Sequence, residues 1–238
     1  VAGKETTREI RIKNNANRKL FLTLKAENLD GIIEFDRNLD LASGEEKQLT
    51  LKIIFSDKNI ASGKILFLHE NLVIKEIPIV INAKSENFLF DASITIPERY
   101  KRIIAGRKVP LQVNLQEVGL KERVDVSVYY LIKDFSGNSY LEESETFFVE
   151  ESKSYVKEFV TEGLPAGKYI IGVEISYPGA FATSSAQFEI VSKDTIYAFY
   201  IFVIGIVASL LLVMAVVIIW NLRRKKDISA KAVSQRKI

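Results

Sequence analysis

One uninterrupted apolar segment near the C-terminal end constrains this chain most. From Ile196 to Trp220 the sequence contains no charged residue. A helix of this length would rise about 37 Å, enough to cross a hydrocarbon core of about 30 Å with some tilt. A helix buried in a soluble domain would normally carry a polar stripe, which this segment lacks. We therefore predict a transmembrane helix over residues 195–220.

The residues at both ends of this segment indicate its orientation. Tyr197 and Tyr200 stand at its start and Trp220 at its end, where aromatic rings settle near lipid headgroups. Before the segment, the opposite charges of Lys193 and Asp194 cancel. After it come four basic residues, Arg223, Arg224, Lys225 and Lys226. The positive-inside rule then places residues 221–238 in the cytoplasm as a basic tail and residues 1–194 outside the cell. The lipid bilayer is the predicted partner, and the predicted location is the cell membrane, with a single pass.

Two small residues in the predicted span are candidates for helix packing. Gly205 and Ser209 lie four apart, a small-xxx-small spacing that permits two helices to approach closely. Chance occurrence of small residues in an apolar segment is the competing interpretation. No ionisable residue lies between Ile196 and Trp220, which argues against a transport or proton-relay role for this helix.

Charge and cysteine content exclude several classes of function. The 238-residue chain has a net charge of +3 and a pI near 8.8. Residues 221–238 contain seven basic residues and one acid, so the remaining residues carry a net charge of −3. The basic pI therefore gives no support for nucleic-acid binding. The absence of cysteine removes disulfides, thiol catalysis and Cys-ligated metals.

Residues before the span alternate between apolar and polar with period two. The first such segments are "REIRIKN", "KLFLTLKAE" and "KQLTLKIIF", separated by turn sequences such as "NNANR" and "ASGEE". In the second segment Leu20, Leu22 and Leu24 share one face, with Phe21 opposite. Strands of this spacing without long amphipathic helices predict an antiparallel sandwich. A second set of strands begins after "AKSENF" and includes "VPLQVNL", "RVDVSVYYLI" and "KYIIGVEISY".

A weak internal repeat supports two domains, over residues 1–85 and 86–193. "IASGKILFL" and "LPAGKYIIGV" each place Gly-Lys before a strand, 104 residues apart, which is about the length of one sandwich. We predict turn conformations for Gly63 and Gly167 in these segments. The predicted architecture is all-β: two tandem antiparallel β-sandwiches followed by a single C-terminal transmembrane α-helix.

The segment "LDLASGEEKQLTLKIIF", followed by "IASGKILFLHENLVIKEIPIVINA", resembles the Ig-like modules of archaeal and bacterial surface proteins. Their final strand has an "IPV"-like pattern, here Ile77 to Val80. "GLPAGKYIIGVEISY" resembles the matching corner of a second module, and the resemblance implies that Tyr169 is a tyrosine-corner residue. Two such modules before one span and a basic tail are similar to membrane-anchored surface proteins with tandem Ig-like modules. The resemblance implies that the chain consists of two tandem Ig-like antiparallel β-sandwiches followed by the transmembrane helix, and it implies no particular activity.

Few residues carry recognisable catalytic chemistry. The chain has a single histidine, His69, which falls in the predicted hairpin turn "LHENL". Because one histidine is all there is, a histidine-rich metal site cannot form. We expect no enzyme, no cofactor and no resident metal. The acidic segment from Glu142 to Glu151 is interpreted as a solvated strand face, with a calcium site as the alternative. Five tyrosines could form a binding patch in the second module, although alternation should bury about half of them: Tyr129, Tyr130, Tyr140, Tyr155 and Tyr177.

The sequence alone leaves three functions open. The first is a non-enzymatic, single-span surface protein whose modules serve as a stalk or as adhesion and interaction units, with a protein or a surface polymer as partner. The second is an accessory subunit of a membrane complex for secretion or glycosylation. The third makes these modules spacers in a larger protein whose active domain lies upstream of Val1. Since the chain begins at Val1 without an initiator Met, we expect a mature product or a fragment, with an export signal upstream.

Overall fold

The computed structural model describes residues 1–55, 59–86, 90–117, 123–192, 201–211 and 214. The chain divides into two compact units, Val1–Ile190 and Val191–Ile238. The described residues of the first unit form β-strands in four sheets and one 3-10 turn at Glu98–Tyr100. The predicted all-β class is therefore confirmed for this unit.

The first sandwich comprises seven strands in two sheets with antiparallel pairing. They are β1 (Thr6–Lys13), β2 (Leu20–Glu27), β3 (Ile33–Glu34), β4 (Asn38–Leu41), β5 (Glu46–Ile53), β6 (Ala61–His69) and β7 (Leu72–Ile81). One sheet has the order β1-β5-β3 and the other β4-β2-β6-β7. Leu24 and Ile65 of one sheet meet Leu49 and Leu51 of the other in a common buried core. As the alternation predicts, Phe21 points away from this core and is exposed.

The second sandwich comprises eight strands around a larger core. They are β8 (Phe90–Thr95), β9 (Arg102–Ile104), β10 (Lys108–Glu117), β11 (Val124–Asp134), β12 (Ser139–Val149), β13 (Ser152–Val160), β14 (Gly167–Tyr177) and β15 (Ala180–Val191). The sheet orders are β13-β10-β8 and β12-β11-β14-β15-β9. Leu111 and Phe159 of the smaller sheet pack against Val128 and Val173 of the larger sheet, all of them buried.

Both sandwiches have the strand pairing of the immunoglobulin fold. In that fold strand B pairs with strand E in one sheet, and strands C, F and G are neighbours in the other. Here β1 pairs with β5 and β10 with β13, while β2-β6-β7 and β11-β14-β15 are the corresponding triplets. The predicted Ig-like sandwich fold is therefore supported by topology. The short strands β3, β4, β8 and β9 were not predicted, because strands of two to six residues show too little alternation.

The repeat containing Gly63 and Gly167 is real, but the predicted turn conformations are wrong. The two segments form β6 and β14, which hold the same place in their sandwiches, and neither glycine has a positive φ. A Cβ at Gly63 would lie 2.2 Å from the carbonyl oxygen of Glu27 and 2.6 Å from Leu29 Cγ. Gly63 is therefore needed for close backbone approach. A Cβ at Gly167 would meet only the Tyr169 ring, at 3.8 Å.

Tyr169 forms the tyrosine corner that the resemblance implies. It lies at the start of β14, is 2% exposed, and donates a hydrogen bond from its hydroxyl to the carbonyl oxygen of Pro165 at 2.7 Å. Burial raises the pKa of this hydroxyl to about 12. The corner thus fixes the chain where it enters β14.

Replacing Tyr169 by phenylalanine should lower the free energy of unfolding by about 1 kcal/mol, because the Pro165 carbonyl loses its donor. Chemical denaturation of the full chain measures this change. Tyr140→Phe is the matched control: the Tyr140 hydroxyl donates to Asp134 at 3.1 Å from an exposed position, so its loss should change stability by less than about 0.5 kcal/mol. Equal losses in both variants would contradict a special role for the corner.

The described part of the second unit is helical at residues 201–211 and 214. Gly205 and Ser209 lie in this helix. The Ser209 hydroxyl donates to the carbonyl oxygen of Ile206 at 2.7 Å, and a Cβ at Gly205 would meet nothing within 4 Å. Among the described residues, no helix combines the length and the apolar character needed to cross a bilayer. The predicted interface residues lie outside the described residues: Tyr197, Tyr200, Trp220, Arg223, Arg224, Lys225 and Lys226.

Candidate functional site: the junction between the two sandwiches

The first unit contains a junction between its two sandwiches. Ile60, just before β6, is 2% exposed and packs with Phe135 and Ile170 of the second sandwich and with Val80. A second apolar cluster joins Phe55 and Ala83 to Phe181. These side chains contribute to neither sandwich core, so their burial serves contact between the sandwiches.

The linker between the sandwiches is hydrogen-bonded to β15 over several residues. Lys84 and Ala182 form an isolated antiparallel bridge. The backbone nitrogen of Thr183 donates to the carbonyl oxygen of Ala83 at 3.0 Å, and the Thr183 hydroxyl accepts from the Ala83 backbone nitrogen at 2.7 Å. The Ser85 nitrogen donates to the Phe181 carbonyl oxygen at 3.0 Å. The linker therefore continues the larger sheet of the second sandwich at this point.

Three side chains add polar contacts across the junction. Ser62 donates from its hydroxyl to the carbonyl oxygen of Asp134 at 3.1 Å. The Asn28 amide nitrogen, in a residue with φ 58°, donates to the carbonyl oxygen of Phe135 at 3.3 Å. Glu174 accepts a hydrogen bond from the backbone nitrogen of Ile60 at 3.1 Å. Each bond satisfies a backbone group that the junction covers.

Glu174 is a half-buried acid at this junction. Burial raises the pKa of its carboxyl above 4.5, the ordinary value, and Glu142 adds to the increase; the Ile60 backbone donor and Lys133 oppose it. Because the folded-state pKa of Glu174 is raised, its protonated form contributes to the free energy of unfolding. This contribution is fully present below pH 4.5 and is lost as the pH rises through the folded-state pKa.

We expect Glu174→Gln to raise the free energy of unfolding at pH 7, because glutamine still accepts the Ile60 hydrogen bond without carrying a charge. The difference in free energy of unfolding between this variant and the unchanged protein should disappear below about pH 4.5. Denaturant titrations at several pH values measure it. Glu162→Gln, at an exposed position in a turn, is the matched surface control. A loss of stability at pH 7 would mean that the carboxylate strengthens the Ile60 bond more than burial disfavours it.

A cleft of about 400 Å³ lies beside the junction. Three of its charged side chains, Lys64, Glu76 and Asp134, are engaged in local contacts. Lys64 pairs with Glu76 at 3.2 Å. The Asp134 carboxylate accepts hydrogen bonds from the backbone nitrogens of Ser136 and Asn138, at 2.8 and 2.9 Å. These bonds close the hairpin between β11 and β12, in which Gly137 has φ 89°.

Two glutamates of the acidic segment, Glu143 and Glu145, are solvent-accessible as predicted, with side chains 48% and 39% exposed, but they do not lie on the outer face of the sheet. Glu143 and Glu145 stand opposite Tyr130 and Val128 of β11, whose side chains are fully buried. They therefore lie on the inward face of β12, which is an edge strand of its sheet. Lys157 of the opposite sheet pairs with them at 3.2 and 3.9 Å. Inward-facing charges of this kind protect an edge strand from pairing with another chain.

Tyr130 and Tyr155 belong to the same inward network. The Tyr130 hydroxyl donates to Glu145 and is hydrogen-bonded to the Tyr155 hydroxyl. Burial raises the pKa of both hydroxyls, that of Tyr155 to about 12. The five predicted tyrosines do not form one patch, because Tyr130 and Tyr177 are buried while Tyr140 is exposed and packs edge-on against Tyr169.

His69 and the remaining acids show no convergent arrangement among the described residues. His69 ends β6 and its Nδ1 lies 3.1 Å from the Phe21 carbonyl oxygen. The hairpin predicted here is confirmed, with positive φ at both Glu70 and Asn71, as a type I′ turn requires. Within the described ranges, no three His, Cys, Asp or Glu side chains are grouped closely enough to hold a metal ion.

Comparison with known proteins gives distant structural likenesses only. No protein-family model matches the sequence, and no curated protein matches it. The chain is similar to the CARDB domain of a Pyrococcus furiosus protein, solved in complex with di-metal ions, at 14% identity over 43% of this chain and 87% of that chain, with a TM-score of 0.32. It is also similar to red sea bream transglutaminase, at 10% identity over 81% of this chain and 30% of that chain, with a TM-score of 0.32. A third similar structure is a Bacteroides uniformis beta-glucuronidase, at 10% identity over 78% of this chain and 26% of that chain, with a TM-score of 0.30.

Proposed function

We infer that this chain is a non-enzymatic, single-span surface protein whose two Ig-like sandwiches act together as a stalk and interaction unit outside the cell. The observation that carries this proposal is the junction. Neighbouring domains in a chain move relative to one another by default unless a substantial interface joins them. Here apolar packing around Ile60, the linker bonds at Ala83 and Ser85, and the polar contacts of Glu174 join the sandwiches. A stalk needs such a joint to hold its distal module at a fixed position.

The segment from Ile196 to Trp220 supports the anchoring part of the proposal. Its length and lack of charge fit a bilayer, and the basic residues that follow fit a cytoplasmic tail. In the described helix, large side chains such as Phe202 and Leu210 are 66% and 64% exposed. Lipid would cover such apolar surface favourably.

The state of the polar side chains supports a non-enzymatic role. Asp134 is held by its hairpin, Glu145 and Lys157 are engaged with each other across the sandwich, and His69 contacts a backbone carbonyl. General acid-base catalysis needs such groups to face a substrate site. The partner that fits this proposal is a protein or a surface polymer bound by the sandwiches.

Protease treatment of intact cells tests the topology. We expect an epitope on the first sandwich to be lost and an epitope after Ile238 to survive, becoming accessible only when the cells are permeabilised. A matched variant with Ser in place of Arg223, Arg224, Lys225 and Lys226 should show mixed orientation, because the positive-inside bias is removed. Protection of both epitopes in the unchanged chain would overturn the proposed topology.

The accessory-subunit alternative depends on helix packing at Gly205 and Ser209. Ser209 directs its hydroxyl to Ile206 of its own helix, which leaves Gly205 as the main support for close helix approach. Gentle detergent extraction followed by mass measurement distinguishes an accessory subunit from an independent surface protein, because a free monomer argues against a stable complex.

The third possibility, spacer modules in a protein with an active domain upstream of Val1, is decided by the full gene sequence.

A further inference from the structure

A β-bulge brings one aromatic side chain to the cleft beside the junction. The ladder between β11 and β12 shifts between Ile132 and Lys133, which makes Tyr140 the extra residue on β12. Bulges are common on edge strands such as β12 and next to functional sites, where they redirect a side chain. Tyr140 lines the cleft, is 39% exposed and packs edge-on against Tyr169. The bulge therefore leaves an accessible aromatic ring in the wall of the cleft.

Gly167 keeps another part of the wall free of a side chain. Its φ is not positive, and a Cβ would meet only the Tyr169 ring, at the ordinary contact distance of 3.8 Å. Neither the backbone conformation nor the packing therefore requires glycine here. Glycine weakens a strand and often marks a place where a ligand approaches closely. Because Gly167 lines the cleft, the space left by its missing side chain belongs to the cleft.

Both sandwiches contribute to this cleft. The first sandwich supplies Lys64, Glu76 and Pro78, and the second supplies residues 134–136, 140 and 165–169. The volume of about 400 Å³ falls within the range of small-molecule sites, which combine apolar and aromatic surface with a few polar groups. A ligand that fills the cleft would therefore contact the two sandwiches at once.

The charged side chains of the cleft are balanced. Lys64 and Lys168 supply two positive charges, and Glu76 and Asp134 supply two negative charges. The Glu76 side chain remains 50% exposed although it pairs with Lys64, so its carboxylate can accept further hydrogen bonds. Lys168 is exposed as well. The cleft thus offers hydrogen-bond donors and acceptors together, without a net charge among its described lining residues.

This combination fits a neutral saccharide better than other ligands. A sugar hydroxyl both donates and accepts hydrogen bonds, so it can use the ammonium groups and the carboxylates together. An ionic ligand would face two charges of its own sign. A proline-rich peptide brings acceptors but few donors, so it offers the carboxylates little. The apolar carbon face of a sugar ring can rest on the Tyr140 ring.

We propose that the cleft beside the junction binds a segment of a neutral polysaccharide, with one sugar ring on Tyr140 and its hydroxyls bonded to the charged side chains. Gly167 supplies the space that lets the sugar approach β14. This inference rests on the proposed role of the sandwiches as an interaction unit and names the class of surface polymer. It does not depend on the membrane topology, which the protease experiment tests separately, so the two can fail independently.

Saturation-transfer NMR on the full chain in lipid nanodiscs tests this proposal with four neutral tetrasaccharides: cellotetraose, maltotetraose, mannotetraose and N-acetylchitotetraose. We expect saturable binding of at least one of them, with the strongest transfer to the carbon-bound protons of one sugar ring. The matching monosaccharide should bind about tenfold more weakly or worse, because it cannot contact both walls. Tetragalacturonate, an anionic probe, and decaproline should also bind about tenfold more weakly or worse.

Protein variants locate the binding to the cleft. Tyr140→Ala should weaken it about tenfold or more, whereas Tyr140→Phe, which keeps the ring, should change it less than about threefold. Gly167→Ala should weaken binding about fivefold while leaving the fold intact, so it remains informative if Tyr140→Ala fails to fold. Phe148→Ala, at another exposed aromatic residue of β12, is the control and should bind normally.

Three results would overturn the proposal. The first is that no tetrasaccharide binds saturably to the unchanged chain. The second is binding that persists in both Tyr140→Ala and Gly167→Ala, because the site would then lie elsewhere. The third is a different preference among the probes: equal affinity for the monosaccharide would exclude a polymer segment, and tighter binding of tetragalacturonate or decaproline would identify another class of ligand.

Discussion

Replacing Gly63 by alanine should lower the free energy of unfolding of the first sandwich by about 3 kcal/mol or more. The new Cβ would meet the Glu27 carbonyl oxygen at 2.2 Å and Leu29 Cγ at 2.6 Å. The first of these atoms is backbone in the neighbouring strand β2, so it cannot move without disturbing the pairing of Glu27 with Lys64. Overpacking against backbone is therefore expected to displace β2 or β6.

The internal repeat supplies the matched control for this variant. Gly167 occupies the corresponding position 104 residues later, but a Cβ there meets only the Tyr169 ring at ordinary contact distance. Gly167→Ala should leave stability unchanged or raise it by up to about 1 kcal/mol, because alanine restricts the unfolded chain. Thermal and denaturant unfolding of both variants measures the contrast. Similar effects at the two positions would show that close approach at Gly63 is unimportant.

Replacing Ile60 by aspartate should uncouple the two sandwiches. Ile60 is enclosed by Phe135 and Ile170, and its Cδ1 fills the space that a side chain at Gly172 would need. An aspartate would leave a buried charge near the Glu174 carboxylate, which accepts from the same residue's backbone nitrogen. The loss of apolar burial alone is expected to cost about 3 kcal/mol.

Calorimetry of the full chain measures this uncoupling. We expect one cooperative transition for the unchanged chain and two separated transitions for Ile60→Asp, with the second sandwich destabilised because β14 loses its cover. Ile60→Val should cost about 1 kcal/mol and keep a single transition. Ile74→Asp is the surface control, since Ile74 is 50% exposed on β7. A single transition in Ile60→Asp would contradict the importance of the junction.

Period-two alternation was enough to predict most strands of this chain. Leu20, Leu22 and Leu24 illustrate why: a strand with one face on a core and one in water shows its orientation in the sequence itself. The tyrosine corner at Tyr169 was predictable from its local motif, because its hydrogen bond spans only four residues. Gly63 was misinterpreted because its restriction comes from Glu27 and Leu29, which are distant in sequence.

The junction could not be predicted from the polar residues that form it. Asn28, Ser62 and Glu174 are of types common on any surface, and only the docking of the two sandwiches brings them to their partners. One signal was available: "YIIGV", Tyr169 to Val173, has no polar alternation although its neighbours are antiparallel strands. All five residues are buried, which is typical of a strand covered on both faces.

Alternation also failed to reveal the face on which Glu143 and Glu145 lie. The pattern from Leu141 to Phe147 places apolar residues at both ends of one face and two acids between them. The apolar ends determine which way the strand faces, and Lys157 from the opposite sheet neutralises the acids at the margin. A partner across the sandwich is not visible in the sequence of a single strand.

The double burial of β14 has a consequence for the order in which the protein forms. During synthesis or export the N-terminal portion of a chain emerges first and folds first. The first sandwich ends at Ile81, long before Ile170 and Gly172 become available. The emerging β14 therefore meets a surface that is already built, with Ile60 in place. We therefore expect the first sandwich to act as a template on which the second is completed.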